Sequence, residues 1–134
     1  MSEVDPLRDL KRRADREPFA RKLGIRVLEL KPGYALTEME LGEDLTNIHG
    51  MAHGGALFSL IDAAFELASN SHGVTAVALN MNVTFHKAPK VPGTLRAEAR
   101  EVSVSKRIGS YLIEARDSAG ELIASCQALV YRKA

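Results

Sequence analysis

Apolar and polar residues alternate through "AVALNMNVTFHKA" (76–88), where Val77, Leu79, Met81, Val83 and Phe85 recur with a period of two. That period is the mark of a strand with one covered face. "GTLRAEAREVSVSKR" (93–107) alternates through Leu95, Ala97 and Ala99, then changes phase to Val102 and Val104, and one extra residue near Glu101 predicts a β-bulge. "GSYLIEARD" and "ELIASCQALVYRK" flank Asp117-Ser118-Ala119-Gly120 and read as a hairpin. So do the extended segments "LGIRVLEL" and "YALTEMEL", joined by the turn residues Lys31-Pro32-Gly33.

The stretch after the first hairpin has a different period. From Gly54 to Ser69, at 100° per residue, apolar side chains cover most of the circumference. Ser59, Asp62, Glu66 and Ser69, spaced by three, four and three, fall within an arc of about 80°. The pattern predicts a helix over 54–70 that is buried on most sides and open along one polar line. Near the N-terminus, Asp5-Pro6 starts a mostly charged segment with Leu7, Leu10 and Ala14 on one side, which predicts a short surface helix ended by Pro18 within a helical segment 1–22. The expected fold is α+β: an antiparallel six-stranded sheet wrapped around one long central helix, plus a short N-terminal helix. No repeat or linker divides residues 1–134, which read as a single domain.

Composition narrows the function classes. A net charge of +1 supplies no global field for nucleic acid, so any anion binding must be local. The single cysteine, Cys126, excludes an internal disulfide, suits a reducing compartment, and reads as small core filling within its strand. "MSEVDPLRDLKRRADREPF" has no apolar core for export, and no stretch reaches the roughly 20 apolar residues of a spanning helix, so a cytoplasmic protein without membrane contact is expected. Of the four histidines only His49 and His53 are near each other, with no cysteine or acidic residue at ligand spacing, so no metal is expected.

The chemistry concentrates in "NIHGMAHGGALFSLIDAAFELASN" (47–70). Gly54 and Gly55 each cost about 1 kcal/mol relative to alanine inside a helix. At its start they let a ligand approach free backbone amides backed by the positive end of the helix dipole. Amides there can hold a developing oxyanion, and Asp62 can act as general base or nucleophile. Asn47 can hold a water or a carbonyl through its amide. These features suggest acyl transfer. One helix cannot supply both groups to one carbon, because eight residues at 1.5 Å place Gly54 and Asp62 about 12 Å apart. The chemistry therefore requires Gly54 of one subunit to meet Asp62 of another, in a dimer with antiparallel central helices.

"NIHGMAHGGALFSLIDAAFELASNSHG" closely resembles the signature of hotdog-fold acyl-CoA thioesterases of the phenylacetate-degradation (PaaI-like) type. Asn47, Gly50, His53, Gly54, Gly55 and Asp62 carry the resemblance, and the element order extends it over essentially the whole chain. It implies hydrolysis of acyl-CoA to free acid and coenzyme A without metal or cofactor. It also implies a homodimer that pairs into a homotetramer. Asp62 would be base or nucleophile, the Gly54 amide would polarise the thioester carbonyl, Asn47 would assist, and His53 would support the loop. The chain departs from the pattern where relatives often carry a serine or threonine near the catalytic carboxylate. Here the helix offers Glu66, and the following strand offers Ala78, Asn80, Asn82 and Thr84. Two nearby carboxylates raise the pKa of at least one.

The acyl pocket is expected to draw on Gly55, Leu57, Phe58, Ile61 and Glu66, without indicating aryl or alkyl preference. Lys87 and Lys90 in "FHKAPKVPG", and Lys106 and Arg107 in "SVSKRIGS", are candidate contacts for the coenzyme A phosphates. Two other readings fit the same residues: a hydratase or dehydratase of the same fold, using His53 with Asp62, and a non-catalytic acyl-CoA-binding protein.

Overall fold

The computed structural model describes residues 5–133. The first four residues of the segment expected to be helical lie outside that range. The Asp5 carboxylate accepts the Leu7 amide at 3.0 Å and caps α1, Pro6–Asp15. Pro18 does more than end this helix, because it opens a second one, α2, Pro18–Leu23. A proline favours extended backbone in the residue before it while its own φ suits a helix's first turn. Glu17 is accordingly extended (φ −63°, ψ 118°), and the chain turns a corner there.

The first hairpin is β1 (Arg26–Lys31) and β2 (Tyr34–Leu41); a loop leads to α3 (Gly54–Ser69), then β3 (Thr75–Phe85), β4 (Gly93–Val104), β5 (Ile108–Asp117) and β6 (Leu122–Lys133) follow. All six strands form one antiparallel sheet in the order β1-β2-β4-β5-β6-β3. Helix α3 lies on its concave face. Leu60, Ile61, Ala64, Phe65 and Ala68 of the helix are buried against Ala35, Met39, Leu95, Ala97, Ala99, Ile113, Ala115 and Val130. The run of alanines on adjacent strands is what lets the sheet close on the helix, since packing at interior density leaves little room between them. No described helix is long and apolar enough to cross a membrane.

Register shifts fall at Val27/Glu29, Ala78/Asn80, Glu101/Ser103 and Ala115/Arg116, and two of these bear on what the sequence predicts. The one expected near Glu101 falls between Glu101 and Ser103. There the Glu101 carboxylate accepts the Tyr111 hydroxyl at 2.8 Å and lies 2.6 Å from His72 Nε2, which ties the end of α3 to the sheet. The other overturns a reading of the sequence. The period of two through β3 is broken by a register shift between Ala78 and Asn80. Val77 pairs with Tyr131, both on the convex face, whereas Met81 and Val83 lie on the concave side with the core. The five apolar residues therefore do not share one face.

Strand β3 bonds only to β6, so its other edge has no partner among the described residues. The helix begins at the end of the sheet where β3 finishes: a methyl group placed on Gly54 would lie 3.7 Å from Phe85 Cζ. It finishes where β3 begins. The Asn70 side chain donates to the Glu66 and Ala76 carbonyls (2.9 and 3.1 Å) and accepts the Ala76 amide (2.9 Å).

Candidate active site

The loop before α3 is held by its own hydrogen bonds. Thr46 and Ala52 bridge, the Asn47 amide donates to the Met51 carbonyl at 2.7 Å, and the His53 amide donates to the Leu45 carbonyl at 2.8 Å. Asn47 Oδ1 accepts the amides of His49 and Met51, at 2.8 and 3.1 Å. Its oxygen is thus occupied by the loop, and its Nδ2 is the group left to meet a water or a carbonyl. Gly50 closes the turn at φ +73°, a conformation that residues with a Cβ seldom adopt.

His53 is the N-cap of α3, and its Nδ1 accepts the Gly55 amide at 2.8 Å. An accepting Nδ1 puts the ring proton on Nε2, so the outward nitrogen of His53 is a donor. The two glycines then have separate explanations. A Cβ on Gly55 would sit 3.0 Å from His53 Nδ1, against the ring that caps the helix. Gly54 needs no special φ and would meet only the ordinary 3.7 Å contact with Phe85. Its amide has no acceptor among the described residues. Nothing within the protomer requires glycine at 54, which leaves close approach from outside.

Gly55→Ala separates capping from catalysis. Helix propensity gained and cap lost are each worth about 1 kcal/mol and oppose one another. Little change in the unfolding free energy is expected, while displacement of the His53 ring lowers turnover about tenfold, an effect of about 1.4 kcal/mol on the barrier. Denaturant unfolding and a turnover assay on the same sample check both.

Along the helix, Asp62 is half-buried and Glu66 is partly open to solvent. Burial first, and the nearby Glu17 carboxylate second, hold the Asp62 pKa above the usual carboxylate range. Glu66 is pushed up to about 8 by burial and by the charges of Glu17 and Asp62. Of the polar line expected from the sequence, Ser69 is the exception. It is buried at 3% exposure, its hydroxyl turned onto the Glu66 carbonyl at 3.2 Å. Ser59 donates its proton to the Gly55 carbonyl at 2.7 Å. Leu57 and Ile61 are in the core, whereas Phe58, at 38% exposure, flanks Asp62 one turn earlier on the open side. Ile48 and Met51 are exposed on the preceding loop.

Asn80, Asn82 and Thr84 pair with Leu129, Gln127 and Ser125 on the convex face, away from α3. They cannot reach a water at Asp62 in the same protomer. Cys126 faces inward and is buried; burial pushes its thiol pKa up, and the Asp62 charge adds to this. The basic candidates are split. Lys87 follows β3 and pairs with Glu121, and Lys90 lies in the same connection, at the end where α3 begins. Lys106 and Arg107 occupy the β4–β5 turn at the opposite end, with the Arg107 guanidinium 6.0 Å over the Tyr131 ring. Among the described residues no three His, Cys, Asp or Glu side chains gather as a metal site would need.

Glu17 was not singled out by the sequence pattern. The signal for it is the proline that follows: an extended residue at a helix junction whose side chain does not cap α2 is free to reach elsewhere.

The chain is similar to known proteins along most of its length. A family model described as the thioesterase superfamily matches residues 49–124. The chain is 44% identical over 110 residues to a protein of Archaeoglobus fulgidus that carries only a provisional name as an esterase, covering 82% of this chain and 71% of that one. It is 36% identical over 100 residues to the acyl-coenzyme A thioesterase PaaI of Escherichia coli, covering 75% and 71%. The solved structure of the E. coli PaaI protein from the phenylacetic acid degradation operon superimposes with a TM-score of 0.90 at 29% identity, over 98% of this chain and 97% of that one.

Proposed function

The chain belongs to the thioesterase superfamily, as a thioester hydrolase with the hotdog fold, and from that premise we propose that it hydrolyses acyl-CoA at sites built where two protomers meet. The observation that carries this reading is the unpartnered Gly54 amide on a glycine that nothing inside the protomer requires. It is a donor at a helix N-terminus, where backbone dipoles favour a developing negative charge. The Asp62 carboxylate of the partner takes a proton from a water that attacks the thioester carbon. The carbonyl oxygen becomes an oxyanion facing the Gly54 amide, with His53 Nε2–H and Asn47 Nδ2 as further donors. Collapse breaks the carbon–sulfur bond, the free acid leaves, and the proton on Asp62 passes to the coenzyme A sulfur. The burial that raises the Asp62 pKa also makes it a stronger base than an exposed aspartate.

The open edge of β3 supports the pairing. Two such edges joined antiparallel would lay the central helices side by side in opposite directions, so that each Gly54 approaches the other protomer's Asp62. The same operation brings Lys87 and Lys90 of one protomer beside Lys106 and Arg107 of its partner, a basic rim for phosphates that neither protomer has alone. Phe58, Gly55 and the Glu66 carboxyl line the acyl side, with Leu57 and Ile61 behind them. The reading includes neither metal nor cofactor, a cytoplasmic location, and pairing of dimers into tetramers.

A dehydratase is less well supported. It would need His53 as a base, but the nitrogen that faces outward carries the proton. A pure binding protein would release no thiol. Incubating the protein with benzoyl-, phenylacetyl-, hydroxyphenylacetyl- and straight-chain acyl-CoA in the presence of a thiol reagent tests all three. Steady release of free thiol from at least one substrate is expected, and none from any would reject the reading.

A further inference from the structure

Glu17 reaches the open line of the central helix from another part of the chain. It stands at the corner between α1 and α2, where its side chain leaves the α2 amides uncapped. Instead it lines a small cleft with Ala63, Glu66 and Leu67 of α3, closed by Ala14, Ala20, Ile25 and Val27. Its carboxylate shares that cleft with the Glu66 carboxylate, and two acidic groups held side by side disfavour a second charge, so one of them keeps its proton more readily. We propose that Glu17 is a positioning residue that acts on Asp62 through Glu66: by standing as a second acidic group beside Glu66, it keeps the neighbour one turn from Asp62 uncharged and leaves Asp62 as the single base. This deepens the function proposed above and rests on it.

The groups facing the pair come from three elements. Asp62 lies one turn back on α3, and its charge favours protonated Glu66. Arg13 of α1 opposes this weakly, with Asp9 3.8 Å from its guanidinium. Cys126 of β6 lies beneath Asp62 with its thiol pKa raised. Burial and two carboxylates outweigh one exposed arginine, which places the Glu66 transition at about 8. Below that pH Glu66 keeps its proton. Above it two anions face each other beside the developing oxyanion, and the arm carrying Glu17 is repelled from α3. Both effects lower the rate.

The sign follows for each variant. The wild-type kcat/KM should fall as pH rises through about 8, where Glu66 ionises. Glu66→Gln, permanently neutral, should remove this alkaline limb. Glu17→Gln keeps the shape of the corner but takes away the carboxylate partner, so Glu66 ionises more easily and the limb should move down by about one unit. Glu17→Asp should restore part of the shift. A purely structural contact would leave the limb of Glu17→Gln where it was. Carboxyl NMR titration of Glu66 in the full chain, wild type against Glu17→Gln, gives a reading independent of turnover. A transition that does not move overturns the proposal. So does an alkaline limb that persists in Glu66→Gln. If the wild type hydrolyses no acyl-CoA, the function reading fails and the titration alone decides the Glu17–Glu66 coupling.

Discussion

Asp62→Asn is expected to lower acyl-CoA turnover by at least about 10³-fold, within the range that a general base contributes, while the protein remains folded and dimeric. The substitution keeps the volume and removes only the ability to hold a proton. Stability should not suffer, and the sign can be worked out. Burial and Glu17 hold the Asp62 pKa above its unfolded value. The folded state therefore favours the protonated form, and this contribution to stability is lost as pH rises through the folded pKa. At pH 7 to 8 the native aspartate is an ion in a place that disfavours ions, and asparagine relieves it. The variant should thus melt at the same temperature as wild type or above it, and more so at alkaline pH. Thiol release, thermal melting and light scattering on one preparation measure all three properties. Turnover within about tenfold of wild type would remove Asp62 from the chemistry, since the loss of a base costs at least about 100-fold.

A group that destabilises the fold yet sits on its central helix is where local pattern and global stability part company. The same contrast shows in what could be read along the chain. Alternation in β2, β4, β5 and β6 marked the strands, because each has one face on the core and one on solvent; the ends agree to within one residue except that β4 stops at Val104, short of Arg107. The bulge near Glu101 was visible because both phases of β4 carry apolar residues. The bulge in β3 was not. The strand stands at an open edge where residues on either face can be apolar, so Val77 and Leu79 continue the period although they do not join the core. Gly54, His53 and Asp62 were legible as a constellation because local spacing places them on one helix and its cap. Glu17 was not, because nothing local ties residue 17 to residue 66. That pairing comes from a corner made by proline and from burial, both products of the tertiary fold. For the same reason Ser69 looked like part of the open line: the position on the wheel is right, but α1 and the turn to β3 cover that end of the helix.

Gly54→Pro is expected to lower kcat by about 10² to 10³-fold, the cost of removing one oxyanion donor, with the fold intact. Proline deletes the amide proposed to face the oxyanion and little else. The position is the first of the helix, where proline is favoured and no intrahelical bond is lost. The preceding His53 is already extended (φ −70°, ψ 132°), as a residue before proline should be. A side chain there meets only the tip of Phe85. Gly54→Ala is the control, since it adds a Cβ but keeps the N–H, and should lose far less. If each site draws Gly54 from one protomer and Asp62 from the other, the two lesions complement. Co-refolded Asp62→Asn and Gly54→Pro chains form mixed dimers in half of all cases, and each mixed dimer has one site with both lesions and one with neither. Two inactive proteins should therefore yield about a quarter of wild-type turnover under statistical pairing of a two-fold dimer. A site contained within one protomer predicts no recovery at any mixing ratio, and that result would refute the shared centre even if both single variants behave as expected.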